Sequence, residues 1–271
     1  MPRDADTIRH QRASGLLRLR MGPRGLASLH HRAPLRVLFP DGERGSAPEA
    51  AVANVAGGLA GGDEVLAEIA LEAGARATLT GAAAEKIYRS LGEDTRIATR
   101  LALGEGAVLE WLPQETILFE GARLDRRMEV SLAPGARLLA TEMLVFGRVA
   151  RGERFATGFL RDAWRVRGPD GLLWADALRL DDPAAQIAAA FGLAGAEACG
   201  LLLLAAPDAA AQREAARDAT GGQATLVRPG LLLLRWLGAA AEVRAGLRRA
   251  LPMLRAAALG GPAALPKLWT C

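Results

Sequence analysis

Between residues 64 and 142 the chain alternates apolar and polar positions in three stretches of closely similar form. Val65, Ala67, Ile69 and Leu71 fall on one side of an extended chain, with Glu64 and Glu68 on the other. Ile97, Leu101 and Leu103 are set against Arg96 and Arg100. Met128, Val130 and Leu132 are set against Arg127, Glu129 and Ser131. A period of two marks a strand with one buried face. Each stretch ends in the same kind of turn: Leu71-Glu72-Ala73-Gly74-Ala75, Leu103-Gly104-Glu105-Gly106-Ala107 and Leu132-Ala133-Pro134-Gly135-Ala136. A glycine there supplies the positive φ of a tight hairpin, and a second apolar run follows each turn, over 76–80, 108–111 and 137–142. One β-hairpin unit thus recurs roughly every thirty residues, within the range of stacked repeat architectures. A single unit cannot bury its apolar face alone, so neighbours must stack. The pattern predicts a mainly β chain: stacked β-hairpin repeats forming a β-helix-like body, or the same strands arranged as a β-sandwich.

The flanks extend this reading. Residues 15–20 alternate weakly, 22–25 form a Gly-Pro-Arg-Gly turn, 35–39 form a short strand between Pro34 and Pro40, and 41–49 form a loop. Strands continue through 154–167 to a hairpin at Gly168-Pro169-Asp170-Gly171. Beyond Asp182-Pro183, an N-cap followed by a proline suited to the first helical turn, the character changes. Strands are predicted over 201–205, 225–228 and 231–237. Helices are predicted over 208–220 and 240–259, the second kinked or broken at Pro252. The expected organisation is a disordered N-terminus over 1–12, a β-repeat body over 13–182, and a smaller α/β part over 183–271 packed on the body.

Composition narrows the class. Of 271 residues 51% are hydrophobic and 24% charged, as in a globular chain with a large core. Lys and Arg exceed Asp and Glu by four, and no Lys/Arg block with interleaved aromatics points to nucleic acid. Two distant cysteines, Cys199 and Cys271, make neither a disulfide framework nor a zinc site and suit a reducing cytoplasm. The first eleven residues are charged and lack the apolar stretch of a signal peptide. The apolar runs at 201–206 and 231–234 are too short to span a bilayer, so no membrane association is expected.

Candidate chemistry is sparse. Gly57-Gly58-Leu59-Ala60-Gly61-Gly62-Asp63 has the glycines of a phosphate loop, but no Lys-Ser/Thr pair, and a strand follows it. Close backbone approach between coils is the better reading of those glycines. His30-His31 lacks a third ligand at a recognisable spacing. Ser90 near Lys86 has no accompanying base or oxyanion element. The carboxylates are more informative. Glu110, Glu115 and Glu120 sit in the aromatic and apolar run 109–120, and Glu142 precedes Met143-Leu144-Val145-Phe146-Gly147-Arg148, with Arg148 as a candidate partner. Carboxylates among apolar side chains need partners, either as internal ion pairs or as an acidic lining for a cation in transit.

Four motifs in order, Asn54-Val55-Ala56-Gly57-Gly58-Leu59-Ala60-Gly61-Gly62-Asp63, Ala84-Glu85-Lys86-Ile87-Tyr88-Arg89-Ser90, Leu112-Pro113-Gln114-Glu115-Thr116-Ile117-Leu118-Phe119 and Glu142-Met143-Leu144-Val145-Phe146-Gly147-Arg148, resemble the urease accessory protein UreD (UreH) family in order and spacing. Pro34-Leu35-Arg36-Val37-Leu38 and Asp162-Ala163-Trp164-Arg165-Val166 fit as well, so the resemblance is strong over 15–182 and looser to Pro266-Lys267-Leu268-Trp269-Thr270. Two departures stand out: Gly81-Ala82 replaces polar residues usual before Ala-Glu-Lys, and Arg151 replaces a usual Met. The resemblance implies a β-helical body with a few helices and a non-enzymatic scaffold or chaperone in nickel insertion. It implies partners in the accessory proteins UreF and UreG, the latter a GTPase, and in apo-urease. It also implies an internal channel for nickel in transit, with no permanently bound cofactor. Asp63, Glu85, Glu110, Glu115, Glu142 and Asp176 are the candidate oxygen contacts for such an ion. The alternative is a small-molecule hydrolase using clustered carboxylates, and a purely structural repeat protein is the third reading. The scaffold is preferred because no nucleophile–base–orienter set, complete metal site or cofactor loop is evident.

Overall fold

The computed structural model describes residues 12–40 and 47–270. The N-terminus expected to be disordered therefore lies outside the described residues except for Arg12, as do His10, Cys271 and most of the loop 41–49. The predicted alternation is realised strand by strand in two sheets. The first sheet comprises β1 (Ser14–Gly22), β2 (Gly25–Arg32), β5 (Glu64–Leu71), β8 (Thr95–Leu103), β11 (Arg123–Leu132), β13 (Phe159–Gly168) and β14 (Gly171–Leu180), in the order β14-β13-β11-β8-β5-β1-β2. The second comprises β3 (Leu35–Leu38), β4 (Glu49–Asn54), β6 (Arg76–Gly81), β9 (Val108–Leu112), β12 (Arg137–Phe146), β15 (Ala198–Ala205), β16 (Ala224–Arg228) and β17 (Leu231–Gly238), in the order β16-β17-β15-β12-β9-β6-β4-β3. Two short strands, β7 (Glu85–Ile87) and β10 (Thr116–Leu118), pair with each other, and β10 also pairs with β12.

The body is solenoid-like, with about four stacked turns, as the repeat pattern predicts. The repeated glycine turn differs from expectation in one respect. The strands on either side of Gly74 do not pair: β5 pairs with β1 and β8, and β6 pairs with β4 and β9, all in parallel. The turn is an arch that carries the chain from one sheet to the other, and the positive φ of Gly74, Gly106 and Gly135 serves that arch. Successive arches bond to each other. Gly74 N–H donates to Glu105 O at 2.8 Å and Gly106 N–H to Pro134 O at 3.0 Å. Beneath them Leu71, Leu103 and Leu132 stack, as do Ala75, Ala107 and Ala136, all buried.

The return path is stacked in the same way. Leu59, Ile87, Leu118 and Phe146 are each at most 1% exposed and lie on adjoining rungs, linked by a Leu59–Ile87 bridge and the parallel pairs Leu118–Ile87 and Leu118–Phe146. The four motifs that carry the family resemblance are therefore four layers of one column. The glycine-rich loop is its tightest part: a Cβ on Gly58 would lie 2.6 Å from the Tyr88 ring, and one on Gly61 would lie 2.0 Å from Ser90 Oγ. Close backbone approach is what these glycines provide.

The C-terminal part continues the second sheet, with β15 antiparallel to β12. On that sheet's other face lies α3 (Ala240–Leu259), which follows α1 (Pro183–Ala188) and α2 (Arg213–Thr220) in the chain. Val243, Leu247, Leu251 and Leu254 of α3 are buried in one cluster with Leu139, Leu202, Leu204 and Trp236. The helix passes Pro252 without a break. Asp182 caps α1, accepting from Ala185 N–H at 3.3 Å. The helix expected over 208–220 is instead a 3-10 turn, Ala209–Gln212, leading into α2, and Asp208 pairs with Arg137 rather than capping it. No helix among the described residues is long and apolar enough to cross a membrane.

Candidate passage between the sheets

The inner faces of the long strands are apolar apart from Thr95 and Thr99 of β8 and one charged level. Along β11 the inward phase reads Leu124, Arg126, Met128, Val130, Leu132, and along β13 it reads Leu160, Asp162, Trp164, Val166. One charge in each strand thus takes an apolar strand's inward position, and the facing strand β12 supplies Glu142. The three meet. Arg126 Nε and Nη2 donate to Asp162 at 2.9 and 2.6 Å, Nη2 also reaches Glu142 at 2.8 Å, and Nη1 donates to Thr116 Oγ1 at 3.0 Å. Trp164 Nε1 donates to Glu142 Oε2 at 2.8 Å. Glu142 therefore pairs with Arg126, while the partner expected from the sequence, Arg148, pairs with Glu153 and lies over the Phe119 ring.

Burial sets the charges of this cluster. Loss of water acts against the Arg126 cation, but the Asp162 and Glu142 carboxylates outweigh it and hold the guanidinium charged. For Asp162, burial opposes ionisation and Arg126 overrides it, leaving the carboxyl below its usual range. Glu142 goes the other way. Burial, helped by the Asp162 charge and opposed by Arg126, raises it well above the usual carboxylate range. The cluster is one cation, one anion and one carboxyl that favours its proton.

Two cavities meet at this cluster. The first, of about 220 Å³, is lined by Asn54, Glu85, Lys86, Thr116, Arg126 and Glu142 among others. The second, of about 490 Å³, is lined by Glu142, Asp162, Trp164, Asp176, Cys199 and Arg235 among others. In the first, Glu85 Oε1 accepts from Asn54 Nδ2 at 2.9 Å, and burial raises the Glu85 carboxyl to about 7. Thr99 and Thr116, in the inward phases of β8 and β10, and Gln114 add further polar residues to its lining. Carboxyl, amide and hydroxyl residues in one wall suit the first cavity to a hydrated solute. Gly81 forms part of its wall, where a Cβ would lie 2.8 Å from Gln114 N. In the second cavity, burial followed by the Glu142 and Asp162 charges pushes the Cys199 thiol up to about 12, so it is neutral.

Of the six carboxylates picked from the sequence, Glu85 and Glu142 line the first cavity, and Glu142 and Asp176 line the second. Asp176 is paired with Arg235. The other three lie elsewhere. Asp63 braces the glycine-rich loop, accepting from Ala13 N–H at 2.7 Å and Ala60 N–H at 2.8 Å. Glu110 is buried against Arg255 of α3 and Glu115 is paired with Arg244 of the same helix. Arg126 and Asp162 were missed by residue type and spacing. The signal that marks them is a charge in the apolar phase of an alternating strand. Among the described residues, no three His, Cys, Asp or Glu side chains converge as a metal site.

Comparison with known proteins decides the family. Residues 12–270 match the profile described as UreD urease accessory protein. The chain belongs to this family. Similar proteins, each named urease accessory protein UreD, include one from Granulibacter bethesdensis, 54% identical over 86% of this chain and 99% of the relative. Others come from Magnetococcus marinus, 41% identical over 96% of this chain and 94% of the relative, and Azorhizobium caulinodans, 42% identical over 98% and 99%. The family resemblance seen in the four motifs thus extends over the C-terminal part, where the motif match was looser.

Proposed function

We propose that this chain is a non-catalytic scaffold in urease maturation, and that the space between its sheets carries nickel towards the urease metallocentre. Family membership gives it a part in that maturation. The observation that carries the finer reading is the meeting of two cavities at Glu142, the first lined also by Glu85, Asn54, Thr99 and Thr116. Carboxyl, amide and hydroxyl oxygens with water offer a divalent cation replaceable contacts, and their scarcity suits an ion in transit rather than one retained. The partners of this reading are the accessory proteins UreF and UreG and apo-urease, in the cytoplasm, with nickel as cargo and no resident cofactor. The hydrolase alternative loses its clustered carboxylates, because Glu110, Glu115 and Asp176 are each engaged by an arginine.

The test is co-purification with UreF followed by urease activation with nickel and bicarbonate. The parent chain should form a stable complex and raise urease activity. Glu85→Gln combined with Glu142→Gln should leave the complex intact and lower activation several-fold. Normal activation by that variant would overturn the passage, and failure to engage UreF or urease would overturn the scaffold.

A further inference from the structure

The two cavities share one lining residue, Glu142. Arg126 lines the first cavity and Asp162 lines the second. The guanidinium fills the gap between the two carboxylates, within 2.6–2.9 Å of each, and is steadied by Thr116. Its acceptors come from β10, β12 and β13, so the fork is fixed from three directions. Both partners are well buried, with Asp162 3% and Arg126 13% exposed at the side chain. Buried ionic clusters add little stability over apolar packing of the same volume. A fork of this rigidity at the only level where charge enters the inner faces of β11 and β13 therefore points to the passage and not to folding.

We propose that Arg126 is the gate of the passage: its guanidinium stands where a divalent cation would otherwise lodge between Glu142 and Asp162, and an ion crosses from one cavity to the other only when the guanidinium is displaced. The proposal rests on the passage reading above. With no guanidinium between them, Asp162 and Glu142 would form an oxygen site that holds a divalent ion, the ion displacing the proton that Glu142 favours. A tethered monovalent cation competes for both, so an arriving ion is never bound tightly and is expelled when the arginine returns. The cavity that Arg126 already lines gives it room to retreat on the Glu85 side.

The test uses the full chain in its complex with UreF and Ni²⁺ itself as probe. After dialysis that strips Ni²⁺ from the parent, Arg126→Met should retain it, binding at least about tenfold more tightly, and its urease activation at limiting nickel should fall several-fold. Adding Asp162→Asn to Arg126→Met removes both the gate and the trap. That double variant should release Ni²⁺ as the parent does and reach half-maximal activation at a lower nickel concentration. The double variant also serves if Arg126→Met alone does not fold, since it leaves one buried carboxyl that already favours its proton. An Arg126→Met protein with parental far-UV circular dichroism and parental Ni²⁺ retention would overturn the gate, as would a double variant with the parent's nickel requirement. Retention is read without urease, so its failure counts against the gate alone, whereas normal activation by the Glu85/Glu142 variant counts against the passage.

Discussion

Trp164 Nε1, on β13 of the first sheet, donates to Glu142 Oε2, on β12 of the second, at 2.8 Å. The bond spans the core where the two cavities meet, and the Trp164 ring lies 6.1 Å from that of Trp174 on β14. Trp164→Phe keeps most of the ring packing and removes the donor, leaving a buried acceptor short of a partner. The expected loss is about 1–2 kcal/mol, read as a lower urea midpoint with an unchanged slope. An unchanged midpoint would mean that Arg126 alone satisfies Glu142.

Glu85 predicts a pH dependence of stability. Burial raises its carboxyl to about 7 from an ordinary value of 4.5, so the folded chain binds this proton more tightly than the unfolded one. The contribution is complete below about pH 4.5 and is lost as pH rises through 7. Glu85→Gln, which stays neutral and keeps an oxygen for Asn54, should remove that loss. Relative to the parent it should gain stability between pH 5 and pH 8, by at most about 3 kcal/mol. Parallel stability–pH curves for the two proteins would refute the assignment.

The fold was legible because its signal is local and repeated. The alternation in 64–71, 95–103 and 127–132 sets the strands, and the recurring glycine turns set the period. What a turn signal cannot reveal is the sheet to which the next strand belongs. The positive φ at Gly74 suits a hairpin and an arch equally, and the choice is made by the flanking coils, which offer each strand a parallel partner above and below. The site was less legible for the same reason. Glu85 and Glu142 stood out as carboxylates in apolar surroundings, but so did Glu110 and Glu115, and only tertiary packing hands the latter two to Arg255 and Arg244 of α3, more than a hundred residues away. Arg126 lay in the sequence as the middle charge of Asp125-Arg126-Arg127, where its inward phase shows only once β11 is read from Arg123.

The outer face of the first sheet carries charges in register. Arg18, Glu68, Arg100 and Glu129 face one another across β1, β5, β8 and β11. The pairs lie at 2.8 Å for Arg18–Glu68, and at 3.1 and 3.2 Å for Arg100 with Glu68 and Glu129. Exposed pairs of this kind are each worth under about 1 kcal/mol, but reversing the central charge replaces two attractions by two repulsions. Arg100→Glu should cost about 1–2 kcal/mol at low salt, and the cost should shrink in 0.5 M salt, roughly, as screening reaches a few ångströms. A cost that does not depend on salt would assign Arg100 to packing of its aliphatic stem.

Glu110 and Arg255 test how α3 is held to the second sheet. Their ion pair is buried, with side chains 6% and 5% exposed. Arg255 also donates to Ala264 O, and Arg76 on β6 donates to Leu259 O at the helix's end. Removing one partner of a buried pair typically costs about 3–5 kcal/mol, whereas replacing both by apolar side chains costs much less. The two single losses are not equivalent here. Glu49 lines the same cavity, and burial raises its carboxyl against the pull of Arg255. Glu110→Leu leaves the guanidinium with Ala264 O and the nearby Glu49 charge, while Arg255→Met removes the guanidinium that meets the buried Glu110 carboxylate. Arg255→Met should therefore be the more destabilising single change, and Glu110→Leu with Arg255→Met should be less destabilising than Arg255→Met alone. Denaturation midpoints of the four proteins in a double-mutant cycle decide it. Additive losses would mean that α3 is held by its apolar face, with the ion pair contributing nothing of its own.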